Sequence, residues 1–442
     1  MPANLVYGVF PFIFLLFFFL PFQQKPSSQQ QVLPYARKVV DTLSAPSMHG
    51  RGYVADGHLK AANFIASEFQ RLGLQSFGNG FFQEFEVSVN TFPTEVEVIH
   101  KGQSLKAGRE FLVGPCSQTI HGTFPLLSLS KKEILDASLL LRKLQTASGK
   151  ILVIDQTLFA QATPEEKQKL QETMEFLKHF KNNPATAITF LTTDKLSWHV
   201  AQQPCETPQL IIKKGVLPGQ ADSLELHIEN KHLNKLNTQN VIGLVKGKNP
   251  EKGVIAYSAH YDHLGRMGEN TYFPGANDNA SGVAMLLSLA RHYAKPENKP
   301  EQDMLFMAFG AEELGLLGSK HFVENPLLPL EEIDFLLNLD ITGTGDEGIK
   351  VVNGTVFEEQ FQRLQALNEE HQLLPKVSAR GEACNSDHCL FYEAGVPSFF
   401  IYTLGGIQAY HDIDDKAATL PLTEFEDLFT LLTLFTKSPA QQ

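Results

Sequence analysis

The chain is poor in cysteine and tryptophan and short of positive charge. Its four cysteines in 442 residues are too few for a disulfide scaffold, and none stands in a CxxC pair. Any metal must therefore rely on histidine and carboxylate. The spacing of Cys384 and Cys389 leaves a bridge open if the chain is exported. Lys and Arg number 37 against 49 Asp and Glu, a formal net charge of -12, which argues against a nucleic-acid surface. Charged residues make up only 19% and hydrophobic ones 43%, the balance of a globular protein. The length calls for two folded units or one large domain with an insertion.

Long apolar runs are also scarce, with one exception. Residues 4–22, "NLVYGVFPFIFLLFFFLPF", carry no charge and precede the polar "QQKPSSQQQ". This reads as an export signal over about residues 1–25, for a periplasmic or extracellular protein. The missing basic residue ahead of the run, and the missing A-x-A-type cleavage site after it, keep an uncleaved membrane anchor as the alternative.

The remainder of the chain is patterned. Residues 56–74 have helical spacing, with Leu59, Ala62, Ile65, Phe69 and Leu72 on one stripe and Gly73 as the stop. "FQEFEVSVNTF" and "TEVEVIHKGQSL" alternate as two strands expected to pair with each other. Residues 111–235 form a separate unit of short strand-like runs and one charged helical stretch, "TPEEKQKLQETMEFLKHFK", without a chemical motif. From 236 to 442 the pattern is α/β. "GVIAYSAHYD", "DMLFMAFG", "IDFLLNLD" and "VPSFFIYT" are the apolar runs of strands buried on both faces, alternating with helices. The fold expected is α/β, a mostly parallel central sheet flanked by helices, with ligands at the carboxyl ends of the strands.

Those carboxyl ends carry charge. His260 and Asp262 follow one strand, and Asp278 lies in a loop leading to a helix. Glu312 and Glu313 follow "MLFMAF", Asp340 ends "FLLNLD", and His411 stands in "AYHDIDD". Charges at such positions are costly unless paired or bound to metal. Imidazole with carboxylate suits zinc, with manganese or cobalt as alternatives. The set exceeds what one catalytic zinc needs and matches two ions sharing a bridging carboxylate.

"SAHYDHLG", "GANDNASG", "FGAEELGLLGS", "LNLD" and "YHDIDD", in this order, resemble the two-zinc aminopeptidase family, which also contains glutamate carboxypeptidases, glutaminyl cyclases and the non-catalytic transferrin receptor. "HGRGYVADGHLKAANFIASEFQRLGL" is similar to that family's N-terminal helix, so residues 33–110 and 236–442 would form the zinc exopeptidase domain. "ASGKILVID" is similar to a strand of the protease-associated-type module, which would make 111–235 an inserted α+β domain.

The resemblance implies two zinc ions, one held by His260 and Asp340, the other by Glu313 and His411, with Asp278 bridging. It implies Asp262 bonding the free ring nitrogen of His260, Glu312 as general base and a cis Asp278–Asn279 peptide. Tyr410 would donate a hydrogen bond to the oxyanion, or else be an aromatic packing a loop end. The expected partner is a peptide with a free N-terminus. No nucleic acid is expected, and a membrane only if the N-terminal segment stays uncleaved. A glutamate-carboxypeptidase-like activity would need arginines such as Arg266, Arg291, Arg363 or Arg380 in the pocket. A non-catalytic binding protein would have lost ligands, and none of these is missing. His263 and His388 read as structural or pocket-wall histidines. Asp387 is a candidate anchor for the His411 loop, and Asp412, Asp414 and Asp415 would cap or tie it.

Overall fold

The computed structural model describes Met1 and residues 32–78, 80–217 and 222–437. The apolar run 4–22, with its signal or anchor reading, lies outside the described residues. Among the described residues, no helix is long and apolar enough to cross a membrane.

Two eight-stranded sheets organise the described residues. The first runs in the order Phe82–Thr91, Lys231–Val245, Asp303–Phe309, Val254–His260, Ile333–Leu339, Ser398–Leu404, Gly348–Val352, Val377–Ala379. Its four central neighbours, from Asp303–Phe309 to Ser398–Leu404, are mutually parallel, and antiparallel strands flank them on both sides. Every residue of Val254–His260 and Asp303–Phe309 is buried, which explains runs with no polar alternation. Helix Gly282–Tyr293, apolar on nearly all sides, packs against this sheet together with Val32–Leu43, Gly57–Leu72 and Phe425–Lys437. Gly57–Leu72 buries Ala62, Ile65 and Phe69 and ends at Gly73 in the left-handed conformation, φ 77°.

The second sheet runs in the order Gln103–Ser104, Val96–His100, Ser223–Ile228, Ile120–Ser128, Ile151–Asp155, Ala187–Thr192, Gln209–Lys213, Phe111–Val113. The charged stretch forms helix Pro164–His179, opened by a reciprocal cap between Thr163 and Glu166.

The expected hairpin between the alternating strands does not form. Phe82–Thr91 pairs with Lys231–Val245 in the first sheet, and Val96–His100 with Ser223–Ile228 in the second. The chain thus crosses between the sheets twice, at about residues 91–96 and 228–231. Pro93 in the short connection stands where a hairpin would need a tight two-residue turn.

All four cysteines are paired, Cys384 with Cys389 and Cys116 with Cys205. The second bridge spans 89 residues and has no signal in the sequence.

Candidate metal centre

The parallel strands end at one cleft. It is lined by His260, Asp278, Glu312, Glu313, Asp340 and His411, with Ile341, Asn385, Phe400, Tyr402 and Tyr410 around them, and its space of about 560 Å³ is open to solvent. His260 is the last residue of its strand, and Asp340 follows directly on Leu339. After Asp303–Phe309 the chain turns through Gly310 and Ala311, the latter at φ 57°, and this turn sends the adjacent Glu312 and Glu313 to different neighbours.

Asp278 is the centre of the arrangement. One carboxylate oxygen lies 3.3 Å from His260 Nε2, and the other lies 3.0 Å from His411 Nε2. On the first side Asp340 Oδ1 is 3.4 Å from the same His260 nitrogen. On the second side Glu313 Oε2 is 3.3 Å from the same His411 nitrogen. Tetrahedral zinc, with ligands at about 2.0–2.1 Å, requires donor atoms about 3.3 Å apart. In each trio the two distances from the imidazole nitrogen are close to that spacing, 3.3 and 3.4 Å at His260 and 3.0 and 3.3 Å at His411. Asp340 Oδ1 is moreover buried without a hydrogen-bond partner, while its other oxygen takes the Ser386 hydroxyl at 2.8 Å. A buried, unpaired carboxylate oxygen beside an imidazole nitrogen is costly unless a cation completes it. The residues present therefore fit a metal pair.

His263, Asp278 and Glu313 also lie within 4.8 Å of one another. His263 nevertheless acts differently from His411. Its Nδ1 is 2.8 Å from Glu313 Oε1, a hydrogen-bond distance, and so leaves Oε2 to face Asp278 and His411. His263 thus orients Glu313. Burial and the Asp278 charge push Glu313 up, but the bonds with His263 and His411 outweigh both and hold it at about 2. Glu312 moves the opposite way. Burial, with the Glu313 charge adding to it, raises its carboxyl well above the usual range against the pull of His260, whose Nε2 is 4.0 Å away.

Asp262 departs from expectation. Its carboxylate stays 3.9 Å from His260 Nδ1, which instead faces the Asp262 carbonyl at 3.2 Å. The carboxylate oxygens accept the backbone N–H groups of Glu312 (3.0 Å) and Glu313 (3.3 Å). Asp262, itself fully buried, therefore fixes the two-glutamate turn by pairing two backbone amides. Burial, partly offset by His260, raises its carboxyl to about 7.

The Asp278 loop, Ala276–Ser281, carries a cis Asp278–Asn279 peptide. Asp415 accepts the N–H groups of Asn277 (2.8 Å) and Asp278 (3.0 Å), so it ties this loop rather than only its own. Asn279, in a formal glycosylation sequon, is fully buried and donates to the Leu339 carbonyl. Asp387 does not reach the His411 loop. It is buried beside Ser319, whose hydroxyl it accepts at 2.5 Å, and burial raises its carboxyl to about 6.

Two supports carry no role expected from the sequence, although the first, Arg51, lies in the quoted "HGRGYVADGHL" segment. Arg51 is fully buried and donates to the carbonyls of Leu43, Tyr261, Pro274, Gly275 and Asp278 at 2.7–3.1 Å. Burial lowers its guanidinium to about 10, which leaves it charged at neutral pH. A signal was available in its flanking glycines. A Cβ on Gly50 or Gly52 would come within 2.5 Å of the Gly265 backbone, so only glycines let this segment in. The other support comes from the second sheet's unit. Lys195 Nζ donates to the Gln408 and Tyr410 carbonyls and pairs with Asp412 at 2.7 Å. The Trp198 N–H donates to the His411 carbonyl, and His199 Nδ1 meets His411 Nδ1 at 3.2 Å. Tyr410 stacks on His411, ring centroids 4.0 Å apart, with its side chain half exposed at the cleft mouth.

Comparison with known proteins agrees with the motifs. Residues 240–436 match the model of Peptidase family M28. Aminopeptidase YwaD of Bacillus subtilis (strain 168) is 32% identical over 197 residues, 43% of this chain and 41% of that protein. The matched part thus spans less than half of that relative's length. Among solved structures, a zinc aminopeptidase from Bacillus subtilis superposes with a TM-score of 0.66 at 22% identity, covering 93% of this chain and 95% of its own. A Peptidase M28 precursor from Shewanella amazonensis SB2B gives 0.67 at 16%, covering 94% and 98%. These likenesses extend the shared fold over both sheets, a mixed α/β architecture flanked by helices. Residues 240–436, whose motifs line the cleft, are thus the part of the chain that matches Peptidase family M28.

Proposed function

We propose that the chain is an exported two-zinc aminopeptidase. The observation that carries this reading is the split of Asp278, one oxygen toward His260 and the other toward His411, with Asp340 and Glu313 completing two trios. His260, Asp278 and Asp340 would hold one ion, and His411, Asp278 and Glu313 the other. Bound there, zinc would polarise the scissile carbonyl and make a water nucleophilic at neutral pH.

The chain's own residues do the rest. Glu312, buried and with its proton affinity raised, takes the proton of the attacking water and returns it to the leaving amine. Asp262 holds the turn that aims Glu312 and Glu313 apart. Tyr410, at the cleft mouth, offers its hydroxyl to the developing oxyanion.

The carboxylate lining favours a substrate ammonium group. Among the described residues lining the cleft there is no lysine or arginine to hold a C-terminal carboxylate. Arg380 touches a lining residue, the Tyr402 hydroxyl, at 3.5 Å, but none of the four arginines considered lines the cleft among the described residues. Ile341, Phe400, Tyr402 and Tyr410 favour apolar over acidic N-terminal residues. Export is supported by the uncharged run 4–22 and by the pairing of all four cysteines, which suits an oxidising compartment.

The test is metal content together with hydrolysis of aminoacyl-p-nitroanilides by protein lacking residues 1–25. Two zinc ions per chain, with activity lost on chelation and restored by zinc, are expected. One ion, or hydrolysis confined to substrates with a blocked amine and a free C-terminal carboxylate, would overturn the aminopeptidase reading.

A further inference from the structure

The second sheet presents an unexplained group of donors on its exposed face. His121, on strand Ile120–Ser128, stands directly opposite His227 on Ser223–Ile228, and His227 stands directly opposite Glu97 on Val96–His100. Directly opposed residues on one face bring their Cβ atoms to about 4.5–5.5 Å, close enough for two imidazoles to share one ion. The His121 and His227 rings lie 5.9 Å apart, and one donor atom each from Glu95, His121 and His227 falls within 4.8 Å of the others.

The surrounding charge is one-sided. His227 Nε2 lies 2.9 Å from Glu225 Oε1, and His121 Nε2 lies 3.9 Å from Glu229 Oε1. Among the described residues, no lysine or arginine forms an ion pair with Glu95, Glu97, Glu225 or Glu229. The carboxylates raise the proton affinity of His227, chiefly through the hydrogen bond to Glu225, so the face already attracts a positive charge.

We propose that Glu95, His121 and His227 bind a divalent transition-metal ion, zinc by ligand preference, at a site separate from the cleft. Two imidazoles and a carboxylate form a three-ligand zinc set, and the exposure of the face leaves a fourth position for water. The location suggests the consequence. Glu95 lies in the first crossing between the two sheets, one residue before strand Val96–His100, and its carbonyl accepts the N–H of Glu229, in the second crossing, at 2.9 Å. An ion here ties strands Ile120–Ser128 and Ser223–Ile228 to the first crossing and stiffens the joint between the sheets.

The experiment is equilibrium dialysis of the zinc-loaded full chain against micromolar zinc, repeated with nickel, for wild type, His227→Ala, His121→Ala/His227→Ala and Glu95→Gln. Wild type should hold one ion more than the double variant and melt at a higher temperature when that ion binds. His227→Ala and Glu95→Gln should each weaken the extra ion at least tenfold, with peptidase activity unchanged in all. Equal ion counts in wild type and the double variant would overturn the site. Unchanged affinity in Glu95→Gln would overturn the three-ligand assignment. Nickel bound without zinc would overturn the choice of metal.

Discussion

The two sheets share a device and use it differently. Each has a run of parallel strands whose carboxyl ends carry ionisable residues. In the second sheet, Asp155 ends strand Ile151–Asp155 and is neutralised at once, by Lys214 at 2.6 Å and by the hydroxyl and amide of Thr157. In the first sheet, Asp278, Glu312, Glu313 and Asp340 converge with two imidazoles, and among the described residues no lysine lines their cleft. The carboxyl edge of a parallel sheet thus offers a place for chemistry, and charges left without a protein counterion make it a site.

The sharpest way to break this comparison is to make the same small change at both edges. Glu312→Gln keeps shape and removes the proton acceptor, so kcat should fall about 10²–10⁴-fold with zinc content unchanged. Asp155→Asn should leave kcat alone and cost at most about 1 kcal/mol, because its lysine partner is 40% exposed. Steady-state hydrolysis and metal analysis on the two variants decide the matter. Comparable losses of activity would remove the distinction.

Arg51 is the next test, because it supports the Asp278 loop without being a proposed metal ligand. Arg51→Met leaves several buried carbonyls without donors, and a loss of about 3–5 kcal/mol is expected by denaturant unfolding. Retention of full stability would mean that water replaces the guanidinium there.

Arg51 also marks how far the sequence can be read. Every proposed ligand of the cleft lies in a short quoted motif, and His260, Glu313 and Asp340 stand at or just past a strand end, where an apolar run followed by charge is visible in one dimension. The residues that hold those ligands are less legible. Arg51 binds backbone carbonyls, which leave no side-chain signature, so in the sequence it is only a loop residue between glycines. The motif pattern pairs Asp262 with His260, yet its carboxylate bonds two amides fifty residues away, a contact that exists only once the strands pair. The hairpin expectation fails for the same reason. Strand Phe82–Thr91 finds its partner about 150 residues on, and alternation specifies a face but not a neighbour.

Histidines separate the two regions by sign. His292, packed by the first sheet's helices, has Nε2 buried without a partner, and burial lowers its pKa to about 4. Between pH 6.5 and 4 the unfolded chain takes up a proton there that the folded chain does not, so stability falls as pH drops through that window. His292→Leu should flatten this slope, recovering on the order of 2 kcal/mol near pH 4. His227 on the second sheet is raised by Glu225, so its contribution is present below the unfolded pKa and is lost as pH rises past the folded one. Urea unfolding of the two single variants across pH 4–8 checks both signs.

The smallest expected effect tests whether the second unit is a bystander. Lys195 reaches across to the His411 loop, bonding two of its carbonyls and Asp412, while remaining 43% exposed. An ion pair that accessible contributes little to global stability, about 0–1 kcal/mol. The loop it holds nevertheless carries His411, at φ 53°, and Tyr410 stacked against it. Lys195→Met should therefore lower kcat/KM about two- to fivefold, the equivalent of up to about 1 kcal/mol, with the unfolding midpoint almost unmoved. Zinc affinity should weaken in parallel, since the histidine would be less firmly aimed. A shifted midpoint with unchanged kcat/KM would give Lys195 a purely structural role and leave the first sheet to form the site unaided.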